Sequence, residues 1–258
     1  MTEVQSTVRP KIHARVARGA DLTARQIEQA YGVRAMSVML KPHVRASDDR
    51  RHFEETVRKS SHCCVIEHAE RVVGIMVSDL EHRNWEERGY WLAHFHYGFM
   101  DPGYRGAGHY SRALLRAWAA EFVRRPAAPR FLFGCAYLPS MLKLSATFGH
   151  VHLHRPELQA TSNQRLLANL TETFYGDRVD AATGLAVQPT RPTEPARMPS
   201  SPWLVERMNR YLEINPDWLD GYAVPILVPI TPMNMITGFV KNADARTTFK
   251  RLFAKRRG

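Results

Sequence analysis

This sequence has few cysteines, and it has neither a long apolar run nor an apolar N-terminus. Its 258 residues include three cysteines, whose spacing fits neither a zinc site nor an even disulfide framework: Cys63, Cys64 and Cys135. This scarcity favours a reducing compartment. No run of about 18 apolar residues could form a membrane-spanning helix, and the first residues lack the apolar core of a signal peptide. We therefore expect a soluble cytoplasmic protein.

Basic residues are in excess. The chain has 36 Lys and Arg against 25 Asp and Glu, a formal net charge of +11, and its apolar fraction of 44% is that of an ordinary globular protein. Such an excess favours acidic partners, namely phosphates, nucleic acid or an anionic membrane surface. Solvated surface charge is the alternative explanation.

The most informative stretch is a predicted strand, turn and helix. Residues 89–100 alternate in the manner of a strand, and Gly106 and Gly108 lie in the turn that follows. The helix after the turn has an apolar stripe of Leu114, Leu115, Trp118 and Phe122. Free N–H groups at a helix N-terminus stabilise a phosphate, and glycines let the backbone close around it. This stretch therefore predicts an anion site.

The glycine turn resembles the signature of the GNAT superfamily, the N-acyltransferases that use acyl-coenzyme A. The family motif is Arg/Gln-x-x-Gly-x-Gly/Ala; this chain has Arg105 and Gly108, and Tyr110 stands where a small residue is expected. The resemblance implies an α/β fold, a GNAT-like mixed central sheet flanked by helices, with a C-terminal extension. It also implies that the motif amides hold the coenzyme A pyrophosphate and that the strand at Met100 pairs with pantetheine. The implied coenzyme-binding residues are Met100, Arg105, Gly106, Ala107, Gly108, His109 and Tyr110.

Two histidines are candidates for the general base. An alternation of period two places His94 and His96 on one face of the strand, opposite Trp91 and Phe95, which we expect to face the core. His94 lies eleven residues before Arg105, where several GNAT enzymes carry a glutamate base. A neutral imidazole can accept a proton at physiological pH. The alternatives are two structural histidines, or a carboxylate base at Glu86 or Glu87.

The usual general acid of the family is missing. GNAT enzymes carry a tyrosine, ahead of a Gly-Phe pair, that protonates the departing thiolate, and Ser145 occupies that position when the chain is aligned on Gly149. Either Tyr137 or Ser145 substitutes for it, or the thiolate leaves without assistance. The catalytic candidates are therefore His94, His96, Tyr137 and Ser145.

The chain divides into four predicted segments. Residues 11–155 are the GNAT-like domain, 156–187 a helical extension, 188–202 a proline-rich linker or loop, and 203–258 an apolar segment with a basic tail. The apolar residues 224–240 either complete the sheet or line an acyl-chain tunnel. His150, His152 and His154 alternate as in an edge strand, and no metal is expected.

These patterns predict transfer of an acyl group, acetyl first, from acyl-coenzyme A to a primary amine of a small molecule or protein. One alternative is a long-chain donor on coenzyme A or a carrier protein. Another is a non-catalytic module that binds acyl-coenzyme A or nucleic acid on the same fold. Residues 249–257 predict contact with an anionic membrane or nucleic acid, with a disordered basic end as the alternative.

Overall fold

The computed structural model describes residues 12–104, 128–193, 198–199 and 201–241. The glycine motif at 105–110 and the basic tail at 249–257 lie outside the described residues. The chain forms two compact units, each assembled from separate stretches of sequence. Unit one comprises Met1–Ser37, Arg50–Ser78 and Tyr97–Pro126, and unit two comprises Val38–Asp49, Asp79–His96 and Ala127–Gly258. The predicted division into four segments stays a prediction.

The regular elements are ten strands and six helices within the described ranges. The strands are β1 His13–Ala17, β2 Val38–Leu40, β3 His62–His68, β4 Arg71–Trp85, β5 Arg88–Met100, β6 Arg130–Ala136, β7 His152–Leu153, β8 Ala186–Val187, β9 Thr190–Pro192 and β10 Tyr222–Pro229. The helices are α1 Ala24–Ser37, α2 Ala46–Lys59, α3 Leu138–Thr147, α4 Ser162–Tyr175, α5 Pro202–Ile214 and α6 Pro232–Lys241. No helix in these described ranges is both long and apolar enough to cross a membrane.

Local sequence signals account for several element boundaries. Thr23 and Gln26 have the three-residue spacing of a capping box, and the box is formed before α1: the Gln26 N–H donates to Thr23 Oγ1 at 3.2 Å, and the Thr23 N–H donates to Gln26 Oε1 at 3.1 Å. Thr161 and Gln164 form the same device before α4. The turn between β4 and β5 has only two residues, Glu86 and Glu87, both with positive φ. This is the geometry of a tight hairpin turn, which keeps the two strands adjacent.

Unit one is an antiparallel sheet packed against α1 and α2. Its strand order is β1-β3-β4-β5, and the pairs β1–β3 and β3–β4 are antiparallel. Ile27 of α1 and Phe53 of α2 pack on Val65 and Ile75 of the sheet, with Phe99 of β5 at the edge of this cluster. In α2, Phe53 and Val57 are spaced four residues apart among mostly charged side chains, and both are fully buried.

Unit two contains a mixed sheet in which the strand order is β4-β5-β6-β10-β7. The β5–β6 pair is parallel, whereas β10 is antiparallel to both β6 and β7; β8 also pairs with β10, and β2 pairs with β9. The first part of the apolar segment 224–240, residues 224–229 within β10, thus completes the sheet, one of the two placements predicted for it, whereas residues 232–240 belong to α6. The predicted class, a mixed sheet flanked by helices, is confirmed.

The helix α4 covers the face of β5 that carries Leu92 and His94. Tyr90 and Leu92 of β5 are buried beneath Leu167 and Leu170 of α4, whereas Trp91 and Phe95 are only half-buried. The prediction that the Trp91 and Phe95 face is core is confirmed only for other members of that face: Ala93 is buried, and Tyr97 and Phe99 pack against the core cluster of unit one. Alternation shows which side chains share a face, but the side that a helix covers is decided by tertiary packing.

Candidate active site

The two histidines of β5 lie side by side within unit two. The ring centroids of His94 and His96 are 4.3 Å apart. The sequence predicted this proximity from their spacing of two residues. Their surroundings differ, however, because His94 lies beneath α4 whereas His96 reaches a carboxylate.

His94 is enclosed by aromatic side chains. Its side chain is 5% exposed, and its ring centroid lies 4.1 Å from that of Phe174 and 5.4 Å from that of Phe133. Its Nε2 is hydrogen-bonded to the Tyr175 hydroxyl at 3.2 Å. Burial, with a further contribution from His96, lowers the pKa of His94 to about 3. A base works best with a pKa near the operating pH, so His94 is a neutral and weakly basic neighbour.

His96 is paired with an aspartate of the adjacent strand. His96 Nε2 lies 2.7 Å from Asp79 Oδ2, and the two side chains are 22% and 34% exposed. An ionised carboxylate only accepts hydrogen bonds, so Nε2 carries a proton and Nδ1 is the nitrogen that can accept one. The pair therefore has the composition of a general base and the group that orients it.

His96 also occupies a particular position in the sheet. The parallel pairing of β5 with β6 runs from Trp91 opposite Arg130 to Phe95 opposite Gly134. Both strands continue beyond this register, β5 to Met100 and β6 to Ala136. His96 is thus the first residue of β5 after its pairing with β6 ends.

Cys135 lies on β6 just beyond the last residue that pairs with β5, and its thiol is unreactive. Burial raises the pKa of Cys135 to about 12. Burial raises the pKa of Cys64 to about 12 as well. Only the thiolate is a good nucleophile, so both thiols are inert at physiological pH.

Of the other catalytic candidates, Tyr137 directly precedes α3 and Ser145 lies in the last turn of that helix. The Tyr137 hydroxyl donates to the Thr190 carbonyl oxygen at 2.7 Å. Ser145 is buried, and its hydroxyl donates to Met141 Sδ at 3.2 Å. Both hydroxyl protons thus have partners within the protein. The assignment of either residue as the acid stays a prediction.

The coenzyme-binding candidates can be located only in part. Met100 is buried at the end of β5, in unit one. The remaining candidates, which form the glycine motif at 105–110, lie outside the described residues. Their assignment as coenzyme-binding residues stays a prediction.

Glu86, the alternative carboxylate, forms an exposed ion pair. Its Oε1 accepts from Arg165 Nε at 3.1 Å and from Nη2 at 2.9 Å. The hydrogen bond from Arg165 is the main reason why the pKa of Glu86 is lowered. A carboxylate with a lowered pKa is a poorer base, so this geometry favours the imidazole.

The three alternating histidines near β7 do not form one ligand cluster. Only His152 belongs to a strand, and its Nε2 is 3.3 Å from Asn163 Nδ2. Burial lowers the pKa values of His152 and His154. Among the described residues there is no group of three or more metal-ligating side chains.

Two guanidinium groups border the histidine pair. The Arg83 guanidinium lies 4.6 Å from the Phe174 ring centroid and forms an ion pair with Glu81 at 3.0 Å. The Arg178 guanidinium lies 5.2 Å from the Tyr175 ring centroid. Both positive charges oppose protonation of His94 and help to keep it neutral.

Asp79 was not identified from the sequence. It lies seventeen residues before its partner in the chain, and pairing across β4 and β5 brings the two side chains together. The available signal was an acidic residue directly after the mostly apolar run Val-Val-Gly-Ile-Met-Val-Ser, in the middle of β4. An acidic residue at this point can belong to a catalytic site, but it can equally mark the point where the strand passes from the core to the solvent-exposed surface.

No protein-family model and no curated protein sequence matches the chain. Similar solved structures include a probable N-acyltransferase from Enterococcus faecalis, 14% identical, covering 53% of this chain and 33% of its own, with a TM-score of 0.38. An acetyltransferase from Trypanosoma brucei is 18% identical, covering 58% of this chain and 99% of its own, with a TM-score of 0.35. The aminoglycoside N-acetyltransferase AAC(6')-Iy in complex with coenzyme A is 11% identical, covering 50% and 78%, with a TM-score of 0.33.

The Enterococcus protein is described as a probable N-acyltransferase, and the other two are acetyltransferases. This chain spans only a third of the length of the Enterococcus protein.

Proposed function

We propose that the chain is a divergent GNAT N-acyltransferase that moves an acyl group, acetyl first, from acyl-coenzyme A to a primary amine. The observation that carries the proposal is the His96–Asp79 pair, which directly follows the register where β5 and β6 stop pairing. In the GNAT plan, the separation of these two strands opens the cleft for the thioester. His96 therefore has the residue type, the partner and the place that a base for acyl transfer needs.

The proposed reaction needs one proton acceptor and one leaving group. The amine nitrogen attacks the thioester carbonyl carbon, a C–N bond forms, and the C–S bond breaks. Nδ1 of His96 takes the amine proton, and the ionised Asp79 stabilises the resulting imidazolium. The coenzyme leaves as a thiolate, and because a cysteine-like thiol has a pKa of about 8.5, it is a tolerable leaving group even without an acid. Tyr137 and Ser145 remain the candidates for protonating it.

His94 has a supporting role in this proposal. Its position in the sequence matches the glutamate base of the family, but its burial and its pKa of about 3 favour the neighbouring His96 as the base. A neutral ring at His94 places no second positive charge beside the imidazolium that forms on His96. The Tyr175 hydroxyl and the Phe174 ring hold it in place.

The placement of β10 supports a short acyl chain. Ile226 and Leu227 are buried within the sheet between β6 and β7, so this segment packs as core. The alternative, a long-chain donor, would need the same segment to line a tunnel for the acyl chain. The motif amides and Met100 are proposed to hold the coenzyme, as the resemblance implies.

The test compares His96→Gln and Asp79→Asn with the wild type. Thiol release from acetyl-coenzyme A is measured with a panel of an amino acid, a polyamine and an aminoglycoside, and donor binding is measured by thermal shift. Removal of a general base should lower turnover about 100-fold or more, and Asp79→Asn should lower it about tenfold, with donor binding unchanged. His82→Gln replaces an exposed histidine of β4 and should retain wild-type turnover.

Other outcomes separate the alternatives. Wild-type turnover in His96→Gln would remove His96 from the mechanism. Stabilisation only by a long-chain acyl-coenzyme A would replace acetyl by a long-chain donor. Stabilisation by acyl-coenzyme A without thiol release for any amine would favour a binding module, and no stabilisation by any donor would refute the acyltransferase proposal.

A further inference from the structure

The helix α6 presents three large apolar side chains to solvent. Met233, Ile236 and Val240 are 69%, 55% and 59% exposed. Their spacing of three and four residues places them on one face of the helix, and we name this set the apolar stripe. Isolated exposed apolar residues are ordinary, but three on one face of a ten-residue helix form a patch.

The inward face of α6 shows that this orientation is fixed. Asn234 is 4% exposed; its Nδ2 donates to the Pro229 carbonyl at 2.7 Å and to the His150 carbonyl at 3.0 Å, and its Oδ1 accepts from the His150 N–H at 2.6 Å. One turn later, a Cβ added to Gly238 would lie 2.6 Å from the Phe148 backbone. Turning the helix to bury the stripe would break these three hydrogen bonds and this close contact.

Positive charge and an indole ring lie at the end of the stripe. Lys241, the last residue of α6, has its Nζ 4.5 Å from the Trp203 ring centroid, and the Arg207 guanidinium lies 4.0 Å from the same ring. The indole N–H donates to the Ser145 carbonyl at 3.3 Å, which anchors the ring. The sequence after Lys241 continues with one acidic residue, Asp244, and six basic ones: Arg246, Lys250, Arg251, Lys255, Arg256 and Arg257.

We propose that this face of α6 docks on an anionic lipid bilayer. Met233, Ile236 and Val240 enter the boundary between headgroups and acyl chains, and Lys241 lies at the level of the lipid phosphates. An exposed apolar stripe flanked by cations and a tryptophan is the combination that an anionic bilayer surface binds. This proposal does not depend on the acyltransferase function.

Charge favours a bilayer over other occupants. A second copy presenting the same patch would cover the apolar side chains, but its own Lys241 and Arg207 would add positive charge and no counter-charge. Nucleic acid would bind the cations but would leave the three apolar side chains in water. An anionic bilayer satisfies both parts of the surface.

The test is co-sedimentation of the full chain with vesicles of phosphatidylcholine alone and of phosphatidylcholine with phosphatidylglycerol. We expect binding only to the anionic vesicles, weakened by salt. The triple variant Met233→Ser, Ile236→Ser, Val240→Ser should lower the partition coefficient about tenfold or more, because its stripe no longer gains from leaving water. Lys241→Glu should lower it several-fold.

The matched control is Met39→Ser with Leu219→Ser, which replaces two apolar residues, each 42% exposed, that lie outside α6. It should bind vesicles as the wild type does, and thermal midpoints show whether each variant is folded. Wild-type vesicle binding by a folded triple variant would overturn the proposal in favour of the tail alone. So would equal binding to neutral vesicles, or no vesicle binding at all.

Two further measurements address the other occupants. Light scattering after gel filtration would show a dimer that the triple variant abolishes if a second copy covers the stripe. Fluorescence polarisation with a single-stranded oligonucleotide would show binding that the triple variant keeps if the cations serve nucleic acid. Either result, in the absence of vesicle binding, overturns the proposal.

Discussion

Replacing the buried His94 with glutamine should remove part of the protein's sensitivity to acid. Burial lowers the pKa of His94 from 6.5 to about 3 in the folded state. The unfolded chain therefore binds a proton at this position before the folded protein does. The stability that depends on a neutral His94 is fully present above pH 6.5 and is lost as the pH falls below that value.

The magnitude follows from the two pKa values. Between pH 7 and pH 5, proton uptake by the unfolded state at this position should reduce the free energy of unfolding by about 2 kcal/mol. The result depends little on the folded-state value, because pH 5 lies well above it and the folded protein takes up almost no proton. It is set instead by the ordinary pKa of histidine.

The assay is urea denaturation at pH 7 and pH 5, followed by the fluorescence of the five tryptophans. His94→Gln keeps a polar side chain beside the Tyr175 hydroxyl but has no group that titrates. Its loss of stability between the two pH values should be smaller than that of the wild type by about 2 kcal/mol. His43→Gln, at an exposed position, should keep the wild-type pH dependence.

Taking the difference between variant and wild type cancels the contributions of His152 and His154, whose pKa values are also lowered by burial. Equal losses of stability in the wild type and in His94→Gln would refute the reasoning. They would mean that His94 is protonated as easily in the folded protein as in the unfolded chain.

Two further substitutions should affect stability. Asn234→Ala should lower the free energy of unfolding by about 2 to 4 kcal/mol in urea denaturation, because it removes three hydrogen bonds at a buried position; Asn209→Ala, at an exposed position, should change it little. Gly221→Ala should lower it by about 2 to 3 kcal/mol, because Gly221 has a φ of 88° and an added Cβ would lie 2.5 Å from the Thr190 carbonyl oxygen. Gly98→Ala, where nothing lies within 4 Å of the added Cβ, is the control. Effects equal to those of the controls would contradict either prediction.

Local signals predicted the boundaries of several elements. The capping box at Thr23 and Gln26 marks the start of α1, and the nearly continuous apolar run of residues 130–136 coincides with β6. Both depend on neighbouring residues, so the sequence contains the information directly. The sequence of α4 also has apolar residues at helical spacing, and these residues, Leu166 and Leu170 among them, face inward.

The candidate site could be predicted only in part. The spacing of His94 and His96 showed that they share a face, and the structure brings their rings together. Their different roles could not be read from the chain, because the helix that buries His94 is about 80 residues away and Asp79 lies on another strand. Long-range packing therefore separates two residues that look equivalent in the sequence.

The position of β10 has a consequence for synthesis of the chain. Ile226 of β10 pairs with Gly134 of β6. The apolar strand β6 is therefore synthesised almost one hundred residues before β10, the strand that pairs with it. Until then, that side of β6 is an open edge, which can pair with other chains. Contacts so distant in sequence also form slowly. A chain truncated before Tyr222 would keep an unpaired apolar edge on β6, and such a product is prone to aggregate.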